Sequence, residues 1–123
     1  MSELENYKKK IGKLGESAVA DYLKKLGYTI VKRNFTIRGG EIDIIAEHGG
    51  YVIFVEVKTR TSSQKGSGLE AVTAAKQHFL RRAAQIYLGP READVRFDVV
   101  EVLGNVVGDK LQATHIEHIE NAI

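Results

Sequence analysis

The sequence has no cysteine, which excludes disulfides and thiolate metal sites and suits a reducing, cytoplasmic setting. It has one proline, so proline-rich linkers and low-complexity tails are not expected. No apolar run approaches the roughly 20 residues needed to span a bilayer. The opening MSELENYKKK has none of the apolar core of a signal peptide. No membrane partner and no secretory leader are therefore expected. Neither sign of charge dominates: 18 Lys+Arg against 16 Asp+Glu leave +2, which says little about partners.

What is there fits a single domain over residues 1–123. The chain is 43% hydrophobic, enough for one core, and 28% charged, an ordinary value for a globular domain. The charge is unevenly spread. Residues 1–97 carry 17 basic against 11 acidic groups, and residues 98–123 carry 1 against 5. A basic body with an acidic end is compatible with nucleic acid, and many enzymes share it.

Apolar periodicity predicts a helix over residues 4–26, with Ile11, Leu14, Ala18, Tyr22 and Leu26 on its buried face. Gly12 and Gly15 interrupt it at about 1 kcal/mol each relative to alanine. They point either to a close backbone approach or to a start near Lys13. Gly27 suits a C-terminal cap. Strands are expected at Tyr28–Phe35, Glu41–Glu47 and Tyr51–Arg60, followed by a polar loop over 61–68. A second helix is expected at Leu69–Leu88, with Val72, Ala75, Phe79, Ala83 and Ile86 as its stripe and Gly89-Pro90 as its stop. Strands at Asp94–Leu103 and Leu111–Ile119 complete the order α-β-β-β-α-β-β. That order predicts an α/β sandwich: a mixed β-sheet flanked by helices, with strands three and four parallel across the helical crossover.

The informative stretch is GEIDIIAEHGGYVIFVEVK, residues 40–58. Gly49-Gly50 suits a two-residue type I′ turn, whose central positions both need positive φ. That turn sets His48 opposite Tyr51, Asp43 opposite Glu56 and Glu41 opposite Lys58. Opposed residues share a face, with Cβ atoms about 4.5–5.5 Å apart. Alternation then predicts Glu41, Asp43, Glu56 and Lys58 on one side, with Ile42, Ile44, Val55 and Val57 on the other. Opposed carboxylates repel unless a cation lies between them, and Mg²⁺ takes one or two carboxylates, with water and phosphate completing its shell. Lys58 can orient or deprotonate a water, or offset charge on a phosphate. The bland alternative is a cross-strand Glu41–Lys58 ion pair and two solvated acids. The flanking IDIIA and VIFVE runs read as buried, which argues against it.

The runs GEIDIIA and VIFVEVKTR resemble those of the YraN-like group of uncharacterised bacterial proteins. That group lies in the restriction-endonuclease-like superfamily, whose signature is PD-(D/E)xK. The resemblance spans nearly the whole chain, through GKLGESAVADYLKKLGY (12–28), RNF (33–35), GEIDIIA, FVEVKTR, AVTAAKQ (71–77) and RFDVV (96–100). The chain is also similar to archaeal Holliday-junction resolvases. These likenesses imply a single nuclease-like domain with a restriction-endonuclease-like three-layer sandwich. They imply a Mg²⁺ (or Mn²⁺) cofactor held by Asp43 and Glu56, with Lys58 as catalytic lysine. Glu16 matches the family's GE position and is implied as a fourth catalytic residue. On the residues alone, a solvated helix acid remains open for Glu16. Lys76 and Gln77 match a helix-two pair and are implied as phosphate contacts, although the polar face of an amphipathic helix explains them as well. One departure is that Ile42, not proline, precedes Asp43, as in resolvase-like members. The implied partner is nucleic acid, with DNA expected, including branched or structured forms. A homodimer is admitted because resolvase-like relatives pair two sites.

Among other basic residues, Arg60 and the loop just past the site suit phosphate best. Arg38, Lys65, Arg81 and Arg82 read as surface charge, and Lys8-Lys9-Lys10 as a basic arm or solvated helix face. His115 and His118 do not read as a metal pair on a strand, and His48 and His78 have no evident partners. The tail Glu117–Ile123 docks either on the body or on a partner. Three functional classes stand: a metal-dependent nuclease, a non-catalytic nucleic-acid-binding module, and a protein-interaction domain. Both acids and the lysine favour the first, because a binding module has no use for opposed carboxylates near phosphate.

Overall fold

The computed structural model describes residues 2–61 and 72–123. The elements are α1 (Glu3–Lys25), β1 (Thr29–Ile37), β2 (Gly40–His48), β3 (Tyr51–Thr61), α2 (Ala74–Leu88), β4 (Asp94–Val107) and β5 (Lys110–Ile119). This is the expected order. Lys65 and the expected helical residues before 72 lie outside the described residues.

Helix α1 begins at Glu3, not near Lys13. The reason is a serine N-cap that periodicity alone does not show. The Ser2 hydroxyl accepts from the Glu5 N–H at 3.1 Å and donates to the Glu5 carboxylate at 3.0 Å. The stripe is also rotated from expectation. Ile11, Gly15, Val19 and Leu23 are buried, while Leu26 is exposed. Gly27 follows the C-cap at φ +94°, as a left-handed helix stop requires.

The five strands form one mixed sheet in the order β1-β2-β3-β4-β5, antiparallel except for the parallel β3–β4 pair. The β2–β3 hairpin turns through Gly49 (φ +59°) and Gly50 (φ +84°) and pairs His48 with Tyr51, as predicted. Alternate strand residues go to two cores. Ile44, Ala46, Ile53, Val55, Val100 and Val102 pack with Val19, Ala20 and Leu23 of α1. Ile45, Val52, Phe54 and Phe97 pack with Leu80, Ala83 and Ala84 of α2. The helices therefore cover opposite faces, giving three layers. On α2 the buried residues are Leu80, Ala83 and Ala84, whereas Ala75 and Ile86 of the expected stripe are exposed. No helix among the described residues is long and apolar enough to cross a membrane.

The tail docks on the body. The Asn121 N–H donates to Asp98 at 2.9 Å and the Ala122 N–H to the Phe97 carbonyl at 2.7 Å.

Candidate metal centre

The site lies where the β2–β3 ladder opens. Its last registered pair is Ile44 with Val55. Beyond that pair the Asp43 carboxylate enters the gap, and its Oδ2 accepts from the Val57 N–H at 2.8 Å. On the other side, the β1–β2 register pairs Arg33 with Ile44 and Phe35 with Ile42 and passes over Asn34 and Asp43. Asn34 is left-handed at φ +55°, a conformation asparagine tolerates better than other non-glycine residues. The interruption breaks strict alternation. Ile42 packs with the α2 core although Ile44 packs with the α1 core.

This break corrects the single-face expectation. Asp43 and Glu41 share a cleft on the α1 side, where Val57 and Thr59 also lie. Glu56 faces α2 and meets Lys76 Nζ at 3.0 Å. The acids reach the fork from both faces of the sheet.

On the α1 side, one carboxylate oxygen each from Glu16, Glu41 and Asp43 lies within 4.8 Å of the others. Glu16 is only 5% exposed, which excludes the solvated helix acid. Arg33 Nε donates to its Oε1 at 3.0 Å and Asn34 Nδ2 to its Oε2 at 2.9 Å. The same amide donates to Glu41 Oε1 at 3.2 Å, so Asn34 ties two carboxylates together. Burial pushes the Asp43 carboxyl up to about 6 against the lowering effect of the Val57 N–H, and the charges of Glu16, Glu56 and Glu41 add to the rise. Three hard oxygen donors, one of them held at a raised pKa by burial and like charge, form a donor set of the kind that could hold a divalent cation.

Glu16 and Asp43 thus come together, with Glu41 as the third member. Glu56 belongs electrostatically to the group but sits on the other face. Lys58 is half-buried on the Glu56 side of β3, registered beside Glu101 of β4. Arg60 Nε lies 3.7 Å from Glu101, a buried acid on the same side of the sheet. The Gln77 amide donates to the Val72 carbonyl at 3.0 Å, which ties it to the start of α2. Arg33 and Asn34 are given no site role by the sequence, and Glu41 only a place on the face of the other acids. The available signal was an asparagine inside a run otherwise rich in β-branched and aromatic residues, enough to suspect a kinked strand but not its consequence.

A second polar cluster lies on β4 and β5, with Asp98 registered beside Val55 of β3. Asp98 is 2% exposed and receives both Arg96 Nε and Arg96 Nη2 at 2.9 Å. His118 Nε2 lies 2.8 Å from Asp98 and its Nδ1 3.1 Å from the Tyr22 hydroxyl. Burial alone would raise the Asp98 carboxyl, yet the bonds from His118, Arg96 and Asn121 outweigh it and hold the group below the usual range. Every acceptor here is satisfied by a structural partner, so the cluster clamps α1, β4 and β5. His48 stacks on Tyr28 with ring centroids 4.2 Å apart.

A model of the uncharacterised protein family UPF0102 matches residues 15–102. A UPF0102 protein from Symbiobacterium thermophilum is 50% identical over 97 residues, covering 76% of this chain and 82% of its own. One from Caldicellulosiruptor saccharolyticus is 43% identical, covering 90% and 97%. One from Acetivibrio thermocellus is 45% identical, covering 95% and 93%.

Proposed function

The chain belongs to the UPF0102 family, and we propose that it is a metal-dependent nuclease hydrolysing phosphodiester bonds in DNA, branched or structured DNA included. The single observation that carries this reading is the convergence of Glu16, Glu41 and Asp43 within 4.8 Å at an open strand fork. An open fork gives a phosphate access that a continuous ladder would deny.

In this reading Asp43, Glu16 and Glu41 hold Mg²⁺ or Mn²⁺, and Glu56 joins them through the fork once Lys76 releases it. When bound, the ion supplies positive charge against the phosphate oxygens as the transition state develops. Asp43 is fixed by the Val57 N–H and Glu16 by Arg33 and Asn34, so these acids are oriented before any ligand arrives. Lys58 has no hydrogen bond or ion pair among the described residues, which leaves its ammonium able to orient a water or meet a phosphate oxygen.

The second reading is a non-catalytic nucleic-acid-binding module. The Lys76–Glu56 contact at 3.0 Å favours it, because one expected metal ligand already has a cation. A labelled panel of linear duplex, single strand, flap, four-way junction and RNA, incubated with Mg²⁺, Mn²⁺ or EDTA, separates the two. The nuclease reading requires cutting that EDTA stops and that Asp43→Ala and Lys58→Ala both abolish. Binding without cutting under each metal selects the module.

A further inference from the structure

Helix α1 carries a basic row that lines the same cleft as the acids. Lys8, Lys9 and Lys13 stand with Gly12, Glu16, Glu41 and Asp43 around a cavity of about 500 Å³. The spacing explains it: positions 8, 12 and 16 repeat every four residues, and 9, 13 and 16 lie on the same side of the helix. Neighbouring Lys10 does not line the cleft. None of the three lining lysines makes an ion pair among the described residues, so they are not counterions of the nearby carboxylates. Between them, Gly12 leaves bare helix: a Cβ there would meet nothing within 4 Å.

We propose that Lys8, Lys9 and Lys13 form the rail that grips DNA backbone phosphates beside the acidic fork. The strand therefore enters along α1 and not along α2. This rests on the nuclease reading for its substrate class and adds where that substrate lies. Lys8 to Lys13 covers about 7.5 Å of helix axis. That matches roughly two phosphate spacings of one strand, and so about three phosphates, at about 3.4 Å of axial rise each. Gly12 lets the backbone approach the helix where a side chain would hold it off. On the α2 side Lys76 is engaged with Glu56 and Gln77 with the Val72 carbonyl, which leaves Lys58 to meet the substrate through the fork.

The test is binding of a fluorescein-labelled DNA duplex, followed by anisotropy over a salt series in EDTA and again in Ca²⁺. The triple variant Lys8→Gln/Lys9→Gln/Lys13→Gln is compared with wild type and Lys10→Gln. Each lysine that grips a phosphate contributes about 0.9 to the slope of log affinity against log salt. The triple variant should lose between about 2 and 3 from that slope and at least about tenfold in affinity at low salt. Lys10→Gln should match wild type. An unchanged slope in the triple variant overturns the rail, as does an equal loss in Lys10→Gln or a wild type that binds no DNA. Circular dichroism checks that the variant helix is intact. The two readings fail separately. Wild type that binds with the full slope but never cuts sinks the nuclease and leaves the rail. Cutting with an unchanged slope in the triple variant does the reverse.

Discussion

Gly15 of α1 lies directly on Thr59 of β3: a Cβ at position 15 would stand 2.0 Å from the Thr59 hydroxyl oxygen and 2.8 Å from its Cβ. No rotamer of a β-branched threonine clears all of its atoms from such an approach. The contact sets the distance between helix and sheet one residue before Glu16. It thereby brings the Glu16 carboxylate down to Arg33 and Asn34.

The two α1 glycines should accordingly respond in opposite ways to the same substitution. Gly12→Ala adds a methyl group into open space within a helix and should stabilise by about 0.5–1 kcal/mol. Gly15→Ala overpacks the helix–sheet contact and should destabilise by about 1–3 kcal/mol despite the better helix propensity. Urea denaturation of both variants measures the difference. Equal effects would show that α1 is free to lift off β3.

Much of this was legible in the chain. Gly49-Gly50 fixed the hairpin register, and the length of the 51–102 segment made β3 and β4 parallel. Gly27 marked the end of α1. What was not legible has two physical origins. Short-range capping at Ser2 overrode the glycine signal and carried α1 back to Glu3. The left-handed Asn34 and the skipped Asp43 broke alternation, so Asp43 and Glu56 approach the fork from opposite faces instead of sharing one. Pattern arguments assume an unbroken strand, and the break occurs at the candidate site itself. The Tyr22–His118 contact joins residues 96 positions apart, beyond any local pattern.

Asp43 should weaken the fold at neutral pH when no metal is present. Its folded pKa of about 6 lies above the ordinary carboxylate value, so the native state holds the proton more tightly than the unfolded chain. Its favourable contribution is complete below about pH 4 and is lost as pH rises through about 6. The shift is worth about 3 kcal/mol. Asp43→Asn keeps an acceptor for the Val57 N–H and removes the charge. In EDTA at pH 7 it should melt higher than wild type, and the two should converge at pH 4. In wild type, added Mg²⁺ or Mn²⁺ should raise the melting temperature at pH 7, and EDTA should reverse the rise. A variant that melts lower than wild type at pH 7 would show that the carboxylate is not under strain.

Lys76 should compete with metal for Glu56. Its ammonium sits 3.0 Å from Oε1 and is partly exposed, so the pair itself contributes about 1 kcal/mol or less to stability. Lys76→Met removes one positive charge from the fork and frees Glu56. Metal affinity, read from the rise in melting temperature across a Mg²⁺ titration, should tighten several-fold, with little change in EDTA. Weaker binding in the variant would mean that Glu56 takes no part in holding the ion.

Asp98 is the counter-example to Asp43, since both carboxylates are withdrawn from water yet shift in opposite directions. Asp43 has one backbone donor and three acidic neighbours, whereas Asp98 has Arg96, His118 and the Asn121 N–H. Depression of the Asp98 pKa means that its contribution is present above the ordinary carboxylate value and is lost as pH falls through the folded one. Asp98→Ala leaves a guanidinium that is 14% exposed with only the Tyr28 hydroxyl and Glu120, and leaves an imidazole without its acceptor. The expected cost is about 3–5 kcal/mol, against less than about 0.5 kcal/mol for Asp109→Asn on the exposed β4–β5 turn. Because Asn121 loses its acceptor too, exchange of the Asn121 amide hydrogen should accelerate in Asp98→Ala even well below the melting temperature. If that amide stays protected, the tail is held by Ala122 and Phe97 alone, and Asp98 stabilises only β4 and β5.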